Sequence, residues 1–139
     1  MLEIYNSSLI GLWLILVTIV LQAMVAIRVH RAQKGGYTPG VIKPELGQSS
    51  FVFRAHRTFQ NSMENIVPIL GLAFIAIFAG YSAFKLSIIV WVYAIARIAH
   101  MILYYKIATE KNPSPRSIPF IIGFLANFYL MIDLGIFLL

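Results

Sequence analysis

Four long apolar stretches constrain most strongly how this chain folds. They run over roughly residues 9–29, 50–80, 84–105 and 118–138 of the 139 residues, and a helix of about 20 residues crosses the hydrocarbon core of a bilayer. Hydrophobic residues make up 60% of the chain and charged residues only 12%, which is too apolar for an ordinary soluble domain. The sequence therefore predicts an all-α, integral membrane four-helix bundle, with residues 1–139 forming one transmembrane domain.

The first apolar stretch is expected to remain as a membrane span rather than to be cleaved as a signal peptide. Its apolar run is too long for a signal peptide, Glu3 precedes it where a basic region would stand, and its arginines follow it. The chain contains no cysteine, which excludes disulfides, thiolate metal sites and a cysteine nucleophile. No metal site is predicted, and any thiol chemistry must use the sulfur of a substrate.

Basic residues concentrate around the first and third of the three connectors between the spans. The net charge is +6, and the second connector carries only Lys85. By the positive-inside rule, the first and third connectors are expected to be cytoplasmic, with both termini on the opposite side. Contact with phospholipid headgroups would by itself explain part of this basic set, which comprises Arg28, Arg31, Lys34, Lys43, Arg54, Arg57, Lys106, Lys111 and Arg116.

A polar stripe runs into the second span. Arg54, Arg57, Asn61 and Glu64 fall within an arc of roughly 80° on a helix, with Pro68 on the same side. Ionisable groups inside a membrane are costly, and they usually face a bundle interior or a wet cavity. A functional site is the favoured interpretation, and a purely structural polar cluster is the alternative.

A second polar stripe lies on the third span. Tyr93, Arg97, His100 and Tyr104 are spaced by four, three and four residues, so they share one helix face. We expect Arg97 to pair with Glu64, because such a pair would neutralise both charges in a low-dielectric setting. Ordinary helix packing would explain His100, and an interfacial aromatic belt would explain the tyrosines equally well.

The third connector ends in the segment NPSPRSIPF. Ser114 can cap a helix that has Pro115 at its first position, which would place Arg116 and Ser117 in the first turn of the fourth helix. Unpaired amide groups and the helix dipole favour an anion there, and a thiolate is such an anion. The alternative is that Arg116 is another positive-inside residue.

These motifs together resemble the MAPEG family, the membrane-associated proteins in eicosanoid and glutathione metabolism, which include microsomal glutathione transferases and microsomal prostaglandin E synthase. The segment RAHRTFQNSMENIVP resembles the family signature of its second span, RIAHMILY resembles that of its third span, and PRS resembles the segment that carries its catalytic arginine. Departures from the pattern at Thr58 and Asn65 concern the choice of electrophile more than glutathione binding.

The resemblance implies a homotrimer with glutathione sites at the subunit interfaces, open toward the cytoplasm. It implies Arg116 and Ser117 as catalytic residues, with Arg116 facing the sulfur, and it makes Arg28 a better candidate than Arg31 for the pocket. The implied glutathione-binding residues are Arg28, Arg54, Arg57, Asn61, Glu64, Arg97, His100 and Tyr104. The second substrate would be a lipophilic molecule that arrives from the membrane lipid, and no nucleic-acid partner is expected.

Three functions from different classes compete at this point. The favoured one is a membrane glutathione transferase, with peroxidase activity toward lipid hydroperoxides as an extension. A lipid-binding scaffold of the same architecture is the second, and a small proton-coupled transporter is the third. Three arginines predicted around Glu64 argue against the transporter, whose carboxyl group must take up and release protons. The sequence does not identify the electrophile, and Asn127 and Asp133 are left without a role.

Overall fold

The computed structural model describes residues 2–139, and this part of the chain is a bundle of four long α-helices. A short 3-10 helix, Leu2–Tyr5, leads into α1 (Asn6–Arg31), which is followed by α2 (Phe51–Phe78), α3 (Ala83–Lys106) and α4 (Ser117–Leu138). Each of the four is long and apolar enough to cross a membrane. The predicted all-α class and the four spans are confirmed, and the protein is an integral multi-pass membrane protein.

Local sequence signals fix the ends of two helices. The hydroxyl groups of Ser50 and Ser82 accept hydrogen bonds from backbone N–H groups in the first turns of α2 and α3, as serine N-caps do. At the other end of α2, the N–H of Gly80 reaches the carbonyl of Ile77, and the N–H of Tyr81 reaches that of Ala76. This is a Schellman arrangement, and Gly80 supplies the left-handed backbone that it requires, with φ of 74°.

The apolar core runs along the axis of the bundle. It is formed by side chains from all four helices, including Leu12, Ile69, Val90 and Leu130. Gly11 allows α1 to approach α3 closely, because a Cβ atom there would lie 2.6 Å from Cγ1 of Val90. The opposite, outer surface carries many exposed apolar side chains, which suits a chain surrounded by lipid.

The two ends of the bundle differ in chemistry. At the end where the short α2–α3 turn lies, the Tyr81 hydroxyl and the Lys85 ammonium both donate hydrogen bonds to the Asp133 carboxylate. The structure therefore gives Asp133 a place in a polar cluster that joins the α2–α3 turn to α4. At the other end, the long connector of residues 32–50 meets the connector of residues 107–116, and four of the predicted site residues line the cavity there.

Candidate functional site

A polar cavity of about 520 Å³ lies at the end of the bundle where the two connectors meet. We call it the connector cavity. Four predicted site residues line it together, namely His100 and Tyr104 from α3 and Arg116 and Ser117 from the start of α4. Phe120, one turn further along α4, adds an apolar wall. The cavity therefore combines hydrogen-bonding groups with an apolar surface, as small-molecule sites commonly do.

Arg116 is held in the connector cavity by hydrogen bonds and by an aromatic ring. It is buried, with 8% exposure, and its guanidinium carbon lies 4.2 Å from the centroid of the Tyr104 ring. Nη1 donates to Oε1 of Gln48 at 2.8 Å, and Nη2 donates to the carbonyl of Thr109 at 2.8 Å. Weaker contacts at 3.4 Å reach the carbonyl of Ile107 and the hydroxyl of Ser114.

The predicted helix start at Ser114 is wrong. Helix α4 begins at Ser117, so Arg116 occupies the N-cap position. Ser114 and Ser117 instead close a turn, in which the Ser117 N–H donates to the Ser114 carbonyl and the Ser114 N–H donates to the Ser117 hydroxyl oxygen. That turn directs the Ser114 hydroxyl toward Arg116 rather than toward the first turn of the helix.

Arg54 joins the first connector to α3. It is 8% exposed, and its Nη1 donates to the carbonyls of Gln48 at 2.6 Å and Ser49 at 3.0 Å. Its Nη2 donates to the carbonyl of Tyr105 at 3.3 Å. An arginine with three carbonyl acceptors holds the connector against the bundle, so Arg54 has a structural role in one subunit in addition to any contact with a ligand.

Arg97 and Glu64 do not pair with each other, which corrects the expected ion pair. Arg97 is 5% exposed, and its Nη2 donates to Oδ1 of Asn61 at 2.7 Å and to the hydroxyl of Ser62 at 3.2 Å. Glu64 forms an ion pair with Arg57 instead, with 3.0 Å between Oε1 and Nη1. Arg57 and Glu64 are seven residues apart, which is almost two full helix turns, so their side chains extend along the same face of α2.

Three buried arginines consequently form no ion pair with a carboxylate among residues 2–139. Within residues 2–139, the ion pairs are those of Arg57 with Glu64 and of Lys85 with Asp133, and the acceptors of Arg54, Arg97 and Arg116 are carbonyl, amide or hydroxyl oxygens. A buried charge without an opposite charge is costly. Each of these arginines is therefore suited to contact an anionic group of a ligand.

Several polar residues that the sequence pattern did not single out also belong to this region. Gln48 bridges Arg116 and Tyr104, because its Nε2 donates to the Tyr104 hydroxyl at 3.0 Å. Gln22, 1% exposed in α1, lines a chamber of about 10 Å³ together with Arg97 and Ser62. The only available signal for Gln22 is a lone amide in the middle of an apolar run, whereas Gln48 lies in a connector without any periodic pattern.

The structure does not bring all the candidate residues together. Arg28 is exposed on the outer face of α1, where it borders an apolar groove with Leu21, Met24 and Ile27. Arg57 and Glu64 lie on α2 with 36% and 47% of their side-chain surface exposed. These three residues therefore lie on outer surfaces of one subunit, apart from His100, Tyr104, Arg116 and Ser117 in the connector cavity.

Comparison with known proteins gives a family for the chain. The sequence model of the MAPEG family matches residues 7–136, which is nearly the whole chain. No curated protein matches the chain.

Proposed function

The chain belongs to the MAPEG family, and we propose that it is a membrane-bound glutathione transferase that conjugates the thiolate of glutathione to lipophilic electrophiles. The environment of Arg116 is the main support for this proposal. Arg116 is buried beside an open polar cavity, and all of its hydrogen-bond acceptors among the described residues are neutral. A positive charge in such a place favours the ionised form of a thiol that binds next to it.

The remaining polar groups fit the other functional groups of glutathione. Arginine binds carboxylates with paired N–H donors, and Arg57, Arg97 and Arg54 are assigned to the two carboxylates. The Glu64 carboxylate is assigned to the ammonium group, with the amide of Asn61 as a further contact. His100 and Tyr104 line the cavity beside Arg116 and are assigned to the thiol group.

A subunit interface would bring the separated residues into one site. The Arg57–Glu64 pair on α2 and Arg28 on α1 face outward from a single subunit, although charged side chains inside a bilayer normally face protein or water. Burial of these faces against neighbouring copies in a homotrimer would remove them from lipid. In the proposed topology, the connector cavity opens toward the cytoplasm, in agreement with the basic residues of both connectors.

The chemistry assigned to the chain's residues is simple. Arg116 stabilises the thiolate after its proton has left to solvent, and the Ser117 and Tyr104 hydroxyls are assigned as hydrogen-bond donors to the sulfur or to the electrophile. The sulfur then attacks the electrophilic carbon, so that a C–S bond forms while the bond to the leaving group breaks and its electron pair departs with it. Phe120 offers the apolar contact for the electrophile.

The test is calorimetric titration of glutathione into the purified protein in mild detergent, followed by turnover with a simple aryl halide. The S-methylated tripeptide is the matched control ligand, since it keeps both carboxylates and the ammonium group but cannot form a thiolate. The proposal predicts binding of both ligands and turnover with glutathione only. Lipid binding that is independent of glutathione, without turnover, would instead indicate a scaffold of the same architecture.

A further inference from the structure

Gln48 forms hydrogen bonds to several residues around the connector cavity, which no pattern in the sequence predicts. Its N–H donates to Oε1 of Glu110 at 3.0 Å, and its carbonyl accepts from Nη1 of Arg54 at 2.6 Å. Its side-chain oxygen accepts from Nη1 of Arg116 at 2.8 Å, while its side-chain nitrogen donates to the Tyr104 hydroxyl at 3.0 Å. All four polar groups of one residue thus hold four different partners.

The chemistry of these partners fixes the direction of each hydrogen bond. A guanidinium group can only donate, so the amide oxygen of Gln48 must face Arg116 and the amide nitrogen must face Tyr104. The Tyr104 oxygen is then an acceptor, which leaves its own hydrogen free to be donated elsewhere. Tyr104 lines the connector cavity beside Arg116, so that hydrogen is available to an acceptor in the cavity.

Gln48 also leaves the charge of Arg116 intact. A carboxylate at the same position would hold the guanidinium equally well, but it would neutralise the positive charge beside the cavity. The neutral amide orients Arg116 without that loss. The stacking of the guanidinium on the Tyr104 ring at 4.2 Å means that one side chain, Gln48, contacts both members of the stacked pair.

We propose that Gln48 is a positioning residue for thiol activation, which fixes Arg116 and turns the Tyr104 hydroxyl hydrogen toward the sulfur. This role rests on the proposed glutathione transferase function and adds a further residue to its mechanism. Gln48 acts through Arg116 and Tyr104. Its contribution should therefore be visible in the ionisation of the bound thiol rather than in the affinity for glutathione.

The structure separates this role from the stability of the connector. The contacts to Glu110 and Arg54 use the backbone groups of Gln48, so a side-chain substitution retains them. In Gln48→Glu the carboxylate would accept from both Arg116 and Tyr104, which would neutralise the charge and turn the tyrosine hydrogen away from the cavity. Gln48→Met keeps a similar length but removes both side-chain hydrogen bonds.

The experiment measures the pH dependence of kcat/KM and the KM for glutathione in the purified wild type and its variants. In Gln48→Glu we expect kcat/KM near neutral pH to fall about tenfold or more, with the acidic limb of the profile moved to higher pH, because the thiol is less readily ionised. The KM for glutathione should stay within about threefold of wild type. Gln48→Met should move the limb in the same direction by a smaller amount.

Gln33→Glu is the matched control. It introduces the same charge in the same connector, but the hydrogen bonds of the Gln33 side chain go only to His30 among the residues the structure describes. An acidic limb in both Gln48 variants that coincides with that of wild type and of Gln33→Glu would overturn the role of Gln48 while leaving the proposed function in place. A wild type that neither binds glutathione nor turns over would overturn both proposals.

Discussion

The guanidinium carbon of Arg116 lies 4.2 Å from the centroid of the Tyr104 ring. A cation over an aromatic face is attracted by the electron density of the ring, and the effect grows when both groups are removed from water. Together with the hydrogen bond to Gln48, this contact holds the guanidinium group at the wall of the connector cavity. The ring and the hydroxyl of Tyr104 therefore have separate roles, and substitutions can distinguish them.

Tyr104→Phe keeps the stacked ring and removes the hydroxyl, whereas Tyr104→Leu removes both. We expect Tyr104→Phe to lower kcat roughly tenfold or more, because it removes one positioned hydrogen-bond donor. Tyr104→Leu should lower kcat further, because Arg116 also loses the ring that supports it. Tyr37→Phe, at an exposed tyrosine of the first connector, is the control. Equal rates in the phenylalanine and leucine variants would show that the ring does not support Arg116.

Glu64 is the assigned partner of the glutathione ammonium, and it also balances Arg57 at 3.0 Å. Glu64→Gln should weaken glutathione binding about tenfold or more, because a hydrogen bond to a charged group contributes about 1.5–3 kcal/mol. Calorimetric titration measures the change. Glu45→Gln, at an exposed acid of the first connector, should bind like wild type. Unchanged affinity in a folded Glu64→Gln variant would remove Glu64 from the site.

The exposed polar face of α2 predicts assembly. Since Arg57 and Glu64 are exposed in a single subunit within a membrane-length helix, we expect this face to meet a neighbouring copy, as it would in the proposed homotrimer. Native mass spectrometry in mild detergent should show the trimer at concentrations where glutathione binds. Monomers alone, with full glutathione affinity, would contradict a site between subunits.

The cluster at the other end of the bundle predicts how stability depends on pH. Burial and the hydrogen bond to Asp133 raise the pKa of the Tyr81 hydroxyl above its usual value. The folded state therefore keeps a proton that the unfolded state releases above pH about 10. The stabilising contribution is fully present below that pH and is lost as the pH rises toward the folded pKa.

The thermal midpoint in detergent should accordingly fall above pH about 10 in the wild type. Tyr81→Phe should show a smaller fall, because it has no proton to lose at this position. Tyr37→Phe should follow the wild type, since Tyr37 is 42% exposed. If all three proteins lose stability in parallel, the hydrogen bond between Tyr81 and Asp133 does not govern the alkaline response.

Hydropathy is sufficient to predict the four helices. The backbone N–H and C=O groups of a membrane span must form hydrogen bonds within the helix, and its lipid-facing side chains must be apolar. Periodicity also placed His100 and Tyr104 on one face of α3. It could not choose the partner of Glu64, since Arg57 and Arg97 are both within reach of a stripe on α2. The choice depends on which side of α2 turns toward α3, and there Asn61 and Ser62 meet Arg97.

The role of Gln48 depends on contacts between the connectors, and the start of α4 depends on a local turn between Ser114 and Ser117. A helical period in the sequence reports neither. Gln48 follows the sequence PELG in an irregular segment. Its four hydrogen-bond partners lie six or more residues away in the sequence. Serine is a common helix N-cap, but Ser114 forms a turn with Ser117 instead, in which its backbone carbonyl and N–H groups make the hydrogen bonds. The roles of Gln48 and Ser114 therefore become recognisable only when the structure of the connectors is known.

We infer that the charge of Arg116 activates the thiol, and Arg116→Ala tests this inference. Glutathione affinity should change by no more than about threefold, because the carboxylate contacts come from other residues, while turnover should fall roughly 10²-fold, equivalent to about 3 kcal/mol. Arg116→Lys should recover part of the rate, since an ammonium keeps the charge but not the planar donor geometry. Thermal midpoints check that the connector contacts of Arg116 are not required for folding.

The most direct measurement is the ultraviolet difference spectrum of glutathione bound to the purified protein near neutral pH. The wild type should show the absorbance of a thiolate, Arg116→Ala should lose it while still binding glutathione, and Arg116→Lys should lie between them. A full thiolate signal together with full turnover in Arg116→Ala would contradict the claim, because the sulfur would then be activated by another group.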